Sequence, residues 1–161
     1  MTTLYIRFKK DIVNAFVIFF IILSVRLLIV LFDVINPHDW NTSVNHPYIN
    51  IHGFWFESIW LMTHILISIS ACILFVSRKL NNRYLAILIA QIILNILWNI
   101  IFYSYHDFTI SLLLMSLLMI SIIINIDYFV SINKVAGDLL VPYLLWATFN
   151  FVINIVYLAV N

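Results

Sequence analysis

Residues 108–126 read FTISLLLMSLLMISIIINI and contain no charged side chain. Asp107 and Asp127 are the nearest charged residues on either side of this run. An α-helix rises about 1.5 Å per residue, so a run of roughly 20 apolar residues crosses the ~30 Å hydrocarbon core of a bilayer. The stretch therefore predicts a transmembrane helix.

Four other stretches of similar length and character place the whole chain in a membrane. Of its 161 residues, 65% are hydrophobic and 9% are charged, and the mean hydropathy is +1.09. This composition leaves too little polar surface to cover a water-soluble domain. We predict an all-α integral membrane protein, a single domain over residues 1–161 built as a five-transmembrane-helix bundle. The predicted spans are 12–33, 54–76, 84–105, 108–130 and 139–160.

The basic residues predict the orientation of the bundle, because Lys and Arg concentrate in cytoplasmic loops. Outside the spans they lie in the N-terminal tail, the second loop and the fourth loop: Arg7, Lys9, Lys10, Arg78, Lys79, Arg83 and Lys134. The N-terminus is then cytoplasmic and the C-terminus outside. The long first loop, 34–53, is also outside and is expected to form a lid over the bundle. The Ile- and Asn-rich composition and a first span without a cleavage site suggest a bacterial plasma membrane.

Several classes of function are excluded by what the chain lacks. A net charge of +1 gives no basic stripe for nucleic acid. One cysteine, Cys72, allows neither a disulfide framework nor a cysteine metal cluster, and His38, His46 and His52 of the first loop lack metal-ligand spacing. No metal site and no catalytic residue is predicted. The expected partners are membrane lipid, an apolar small molecule and other helices.

Polar and aromatic residues recur at helical spacing on three of the predicted spans. They are Glu57, Trp60, His64 and Ser68 on the second span, Gln91, Asn95, Trp98/Asn99 and Phe102 on the third, and Tyr143, Trp146, Asn150, Ile153/Asn154, Tyr157 and Asn161 on the fifth. Polar side chains are costly in lipid and usually face the bundle interior. The three stripes predict an amphipathic pocket that opens toward the first loop.

Each polar residue also has a purely structural interpretation. Asparagines in membrane helices often hold neighbouring helices together by hydrogen bonds, so Asn95, Asn99, Asn150 and Asn154 are candidates for that role or for ligand contact. Arg26 and Glu57 are expected to form a structural ion pair in the outer half of the membrane. His64 is a candidate axial haem ligand or a hydrogen-bonding partner of a neighbouring helix.

Two segments carry a resemblance to a known family. The stretch Leu94-Asn95-Ile96-Leu97-Trp98, followed by Phe102, resembles the third helix of the translocator protein family, also called the tryptophan-rich sensory proteins or TspO/MBR. The fifth predicted span resembles the fifth helix of that family at Ala136, Leu139, Leu140, Pro142-Tyr143-Leu144, Trp146, Phe149, Asn154 and Asn161. The first loop departs from the family pattern, since Ile49 stands where the family has tryptophan. Trp40 and Trp55 are candidates to replace that tryptophan in space.

The resemblance implies a membrane-embedded binder, sensor or carrier of porphyrin-like or other flat apolar ligands, sterol-like ones included. The pocket walls implied by position are Trp60, Asn95, Trp98, Trp146, Asn150 and Asn154. No cofactor is required, and porphyrin or haem is a candidate ligand. The family also implies a candidate homodimer. Two alternatives stay open: a light-dependent porphyrin-degrading enzyme, which Ile49 argues against, and a transporter or interaction subunit with no tetrapyrrole ligand.

Overall fold

The computed structural model describes residues 17, 19–25, 27–29, 31, 44–45, 54–77 and 82–161, and these residues form helices and connecting turns without a strand. The helices are α1 (Phe19–Ile29), α2 (Phe54–Val76), α3 (Asn82–Ile100), α4 (Phe108–Ile132), α5 (Lys134–Asp138) and α6 (Val141–Val160), and α3 continues as a π-helix over Ile101–Tyr105. Four helical segments are long and apolar enough to cross a membrane: Phe54–Val76, Asn82–Tyr105, Phe108–Ile132 and Lys134–Val160. The protein is therefore an all-helical integral membrane protein, and the prediction of that class is confirmed.

The first predicted span, 12–33, is described only in part. The described residues between 17 and 31 are helical and, apart from Ser24, apolar, and the described stretch Phe19–Ile29 is too short to be counted among the four spanning segments. The number of five transmembrane helices therefore stays a prediction. At the other end of the chain, the segment predicted as 139–160 begins earlier, with α5 at Lys134. Pro142 lies in the first turn of α6, where main-chain N–H groups have no partner within the helix, so the N–H that proline lacks costs no helical hydrogen bond.

A two-residue turn connects α3 to α4. His106 has a left-handed backbone, with φ of 54°, and closes the π-helix with its N–H on the carbonyl of Ile101. The Asp107 carboxylate then accepts hydrogen bonds from the main-chain N–H groups of Thr109 and Ile110, at 3.1 and 2.9 Å. Asp107 thus satisfies two of the N–H groups that the first turn of α4 leaves without helical partners.

The helix α4 is central to the packing, because it contacts α3, α5 and α6, while α2 contacts α5 and α6. Interior residues such as Met115, Leu118 and Phe129 are fully buried, whereas Leu113 and Leu145 are 62% and 67% exposed. Large aliphatic side chains on the outside of a bundle are suited to lipid rather than water. The apolar exterior therefore follows from the membrane environment.

The reversal between α4 and α6 depends on close approach at Gly137. A Cβ atom at this position would overlap the Val130 side chain and would lie 2.7 Å from the Val130 main-chain nitrogen. One residue earlier, the carbonyl of Ala136 accepts a hydrogen bond of 2.5 Å from the Ser70 hydroxyl of α2. The small residues Ala136 and Gly137 thus let α5 lie against both neighbours.

Candidate ligand-binding site

Trp60 lies at the centre of an aromatic cluster inside the bundle. Its ring centroid is 5.7 Å from that of Trp98 on α3 and 6.1 and 6.4 Å from those of Trp146 and Tyr143 on α6. Trp60 and Trp98 are each 1% exposed. Aromatic rings at 4.5–7 Å in tilted or edge-on arrangements attract each other beyond their area burial. The structure therefore brings together the three tryptophans predicted from helical spacing. We call Trp60, Trp98, Tyr143 and Trp146 the tryptophan cluster.

Trp146 forms one edge of the tryptophan cluster. It is partly buried and lies between Phe56 of α2, at 5.1 Å, and Phe149 of its own helix, at 5.0 Å. Phe56 did not stand out in the sequence, because a phenylalanine in an apolar helix is unremarkable. Its position four residues before Trp60 puts it on the same helix face, and that spacing is the signal that could have identified it.

A second line of rings continues from Trp98 toward the C-terminal ends of α3 and α6. Trp98 stacks on Phe102 at 5.3 Å, and Phe102 contacts both Tyr157 and Phe108 at 5.4 Å. Because the π-helix has more residues per turn than an α-helix, the neighbours Phe102 and Tyr103 are both buried. The aromatic wall therefore extends from the cluster to the end of α6.

Residues 44–45 of the first loop contact this end of the bundle. The main-chain N–H of Asn45 donates to the Asn161 side-chain oxygen at 2.7 Å, and the Asn45 amide donates to the carbonyl of Val160 at 3.0 Å. Val44 packs against the hydrophobic core. The described part of the loop is thus attached at the end of α6, close to Tyr157.

Several polar atoms around the cluster are buried without a hydrogen-bond partner in the described part of the chain. They are Nε1 of Trp98, Nε1 of Trp146, Oδ1 of Asn150 and Oδ1 of Asn154. Asn150 uses only its Nδ2, which donates to the Trp146 carbonyl at 2.7 Å. Two unpaired donors and two unpaired acceptors therefore border the aromatic walls.

Other polar residues connect helices. Asn154 donates to the Ser111 hydroxyl of α4 at 2.6 Å, and Asn125 of α4 donates to the Gln91 side-chain oxygen of α3 at 2.9 Å. All four side chains are buried. The hydrogen bond to Ser111, which joins two helices, thus accounts for the nitrogen of the Asn154 amide but not for its oxygen. Ser111 and Asn125 were not singled out in the sequence, because their partners lie on other helices.

Asn95 and His64 are both buried, and the structure gives them different surroundings. Asn95 is 3% exposed, one turn before Trp98, and its side chain makes no hydrogen bond within the described residues. His64 has its Nδ1 atom 2.9 Å from the Trp60 carbonyl, in its own helix, and its ring lies 6.4 Å from that of Tyr143. Among the described residues, no three His, Cys, Asp or Glu side chains come together as a metal site would need.

Other predicted residues lie at the edge of the site or outside the described residues. Glu57 is partly buried in the first turn of α2, whereas Arg26 lies outside the described residues, so their ion pair stays a prediction. Trp55 is 79% exposed and therefore does not join the cluster. Trp40 lies outside the described residues.

These features define a helical membrane protein with an aromatic site inside its bundle. The chain belongs to the TspO/MBR family, whose family model matches residues 12–159.

Three relatives illustrate this membership. The chain is similar to protein CrtK of Rhodobacter capsulatus, with 30% identity over 118 residues that cover 71% of this chain and 74% of that protein. It is also similar to a tryptophan-rich sensory protein of Cereibacter sphaeroides, with 26% identity over 71% of this chain and 72% of the relative. The tryptophan-rich protein TspO of Archaeoglobus fulgidus is 28% identical over 81% of this chain and 85% of the relative. The resemblance found in the sequence is therefore confirmed.

Proposed function

We propose that this protein binds a flat apolar ligand of the porphyrin class between the aromatic walls around Trp60. The observation that carries the proposal is the set of unpaired atoms beside those walls: the indole N–H groups of Trp98 and Trp146 and the side-chain oxygen of Asn150. An unpaired buried polar group costs about 1–3 kcal/mol. Such groups are rare in native proteins, and each one calls for a partner.

The chemistry of these atoms matches a porphyrin. The two indole N–H groups can donate only, so they require acceptors, which the carboxylates of a porphyrin supply. The Asn150 oxygen requires a donor, which a protonated carboxyl group of the porphyrin supplies. The macrocycle itself is flat and apolar, and it would stack on the rings of Trp60 and Trp98.

Binding requires the tryptophan cluster to open. Trp60 and Trp98 touch each other and are almost fully buried, so a ligand must separate rings that now pack together. Part of the binding free energy is spent on this opening, and the affinity is lowered accordingly. The proposal therefore includes a movement of α2 relative to α3.

The interhelical hydrogen bonds favour an interaction protein as the alternative. The pairs Asn154–Ser111 and Gln91–Asn125 need no ligand, and they hold helices together in the manner expected in membranes. They leave the indole N–H groups of Trp98 and Trp146 without an explanation. The ligand proposal accounts for those atoms, and for that reason we prefer it.

The test is a titration of the detergent-purified protein with protoporphyrin IX, followed by tryptophan fluorescence. We expect saturable quenching in the wild type. Trp146→Phe keeps a ring but removes the N–H group, and Asn150→Ala removes the unpaired oxygen. Each should weaken binding about three- to tenfold, the loss expected for one hydrogen bond.

Trp55→Phe is the matched control, because it also removes one indole but from an exposed position outside the tryptophan cluster. It should lower the total fluorescence and leave the dissociation constant unchanged. Quenching that does not saturate, or that is equally affected by Trp55→Phe and Trp146→Phe, would show that porphyrin does not bind at this site.

We further propose that the chain has five spans in a bacterial plasma membrane, with the N-terminus in the cytoplasm and the C-terminus outside. The described basic residues Arg83 and Lys134 support this orientation, since they begin α3 and α5 at the same end of the bundle. In a Cys72→Ser background, a cysteine at Asn161 should react with a membrane-impermeant maleimide applied to whole cells, and one at Arg83 should not. The reverse pattern would invert the orientation.

A further inference from the structure

A groove lies on the outside of the bundle, between α1 and the end of α3. Its described walls are aliphatic except for Asn99: Val25, Leu28, Ile29, Ile96, Asn99 and Ile100. Its volume is about 270 Å³. Successive residues of an α-helix are about 100° apart, so Asn99 faces a different direction from Trp98. The groove is therefore separate from the tryptophan cluster.

Asn99 is the unusual member of this groove. It is 6% exposed, and its side chain makes no hydrogen bond with the described part of the protein. Gln91, two turns earlier on α3, differs because its side-chain oxygen accepts a hydrogen bond from Asn125 of α4, whereas Asn95 resembles Asn99 in making none with the described residues. An amide that borders hydrocarbon without a partner is unfavourable, because lipid chains can neither donate nor accept. The Asn99 side chain thus marks a position at which a hydrogen-bonding group is missing.

The walls limit what that group can belong to. No aromatic ring is present among the described walls, so a flat macrocycle has nothing to stack on. No charged side chain is present among them either, so they offer no charged partner to a phosphate or a carboxylate. The volume lies at the small end of the range of about 300–1,000 Å³ found for ligand pockets. An aliphatic chain fits these limits.

We propose that this groove binds an aliphatic molecule with a single hydroxyl group, which hydrogen-bonds to the Asn99 amide. A hydroxyl both donates and accepts, and so it can satisfy either end of an amide. Asn99 lies six residues before Tyr105, the last residue of the π-helix, which corresponds to roughly 9 Å of helix. The hydroxyl is therefore held below the membrane surface, where few other partners are available.

The experiment is photolabelling of the full-length protein in lipid nanodiscs with octanol that carries a diazirine. Labelled residues are identified by peptide mass spectrometry. We expect preferential labelling of Leu28, Ile96 and Ile100 over the lipid-exposed Leu117 and Ile124 of α4. Unlabelled octanol should reduce this labelling at about three- to tenfold lower concentration than octane, as expected for one hydrogen bond in a membrane.

Two variants test the role of the amide. Asn99→Leu keeps the branched shape of the side chain and removes its polar atoms, so octanol and octane should become equally effective competitors. Ser116→Ala removes a polar group of α4 outside the groove and should leave the octanol preference unchanged. The comparison of octanol with octane in the wild type needs no variant, so the test holds even if Asn99→Leu does not fold.

Dioctanoylglycerol, added as a third competitor, identifies the source of the hydroxyl. If dioctanoylglycerol competes as well as octanol does, the site is assigned to a neutral lipid. If it competes less well, the site is assigned to a free alcohol. Both results support a hydroxyl group bound at Asn99. Even labelling of the lipid-facing surface, or octane as effective as octanol in the wild type, would overturn it. Cross-linking of two copies through a diazirine-bearing amino acid placed at position 100 would also overturn it, because a second chain would then occupy the groove.

Discussion

Asn45 and Asn161 hydrogen-bond to each other in both directions. The Asn45 N–H donates to the Asn161 side-chain oxygen at 2.7 Å, and the Asn161 side-chain nitrogen donates to the Asn45 carbonyl at 3.1 Å. The pair is far apart in sequence and joins the first loop to the end of α6. These two hydrogen bonds hold the first loop against the end of α6, which is the attachment that the predicted lid needs.

Asn161→Ala should therefore increase the rate of ligand release. The variant removes the two hydrogen bonds between Asn161 and Asn45 and leaves the one from the Asn45 amide to the Val160 carbonyl, so the loop is attached less strongly. Each lost hydrogen bond is worth about 0.5–1.5 kcal/mol. We expect protoporphyrin IX to dissociate several-fold faster in stopped-flow fluorescence, with a smaller change in the association rate. Asn161→Asp keeps the acceptor and loses the donor, so it should give an intermediate rate. A dissociation rate that is the same in all three proteins would mean that the loop is not a lid.

Trp98→Phe should separate ligand binding from stability. The variant loses ring volume, which costs about 1 kcal/mol, and it also removes a buried N–H without a partner, which is a gain of about 1–3 kcal/mol. We expect a free energy of unfolding equal to that of the wild type or up to about 2 kcal/mol higher. Porphyrin binding should nevertheless weaken, because the donor is gone. Thermal denaturation in detergent and the porphyrin titration measure the two effects.

Phe102→Leu is the control for that experiment. Phe102 is fully buried and has no polar side-chain atom, so its loss creates a cavity without any compensating gain. Stability should fall, by about 1–2 kcal/mol. If Trp98→Phe lowers stability as much as Phe102→Leu does, the Trp98 N–H has a partner in the folded protein.

Substitutions of Gln91 on α3 and Asn125 on α4 should have coupled effects on the free energy of unfolding, because the two buried side chains are hydrogen-bonded to each other. Gln91→Leu removes the acceptor and leaves the whole Asn125 amide unpaired, and Asn125→Leu does the same to Gln91. The double variant removes both amides, so its loss of stability should be smaller than the sum of the single losses. The coupling should be about 0.6–1.7 kcal/mol, the range measured for hydrogen bonds between membrane helices. Additive effects in a double-mutant cycle would contradict this hydrogen bond.

Gly137→Ala should destabilise the protein through backbone contact. The added Cβ would lie 2.7 and 2.9 Å from the main-chain nitrogen and Cα of Val130, which a rotamer change cannot relieve. Overpacking of this kind costs about 1–3 kcal/mol. Adding Val130→Ala should recover little of the loss in a thermal denaturation assay. Full recovery would show that only the Val130 side chain stood in the way.

The sequence predicted the membrane class and the residues of the tryptophan cluster, since hydropathy and helical spacing depend only on neighbouring residues. Trp60, Trp98 and Trp146 lie on the interior faces of their helices for that reason. The partners of the polar residues could not be predicted. Asn154 bonds to Ser111, and that pairing depends on how two helices are placed along their axes, which no local pattern records. The prediction that Arg26 pairs with Glu57 depends on the same kind of placement.

The π-helix at Ile101–Tyr105 has a consequence for how the family can vary. A π-helical turn holds about one more residue than an α-helical turn. A relative with one residue fewer between Trp98 and Asp107 could therefore close this segment as an ordinary α-helix and still begin α4 with the same cap. Only one of the two rings now provided by Phe102 and Tyr103 would then face inward. Insertions and deletions of a single residue at this place are a means by which evolution can reshape the outer rim of the site while leaving the tryptophans below it untouched.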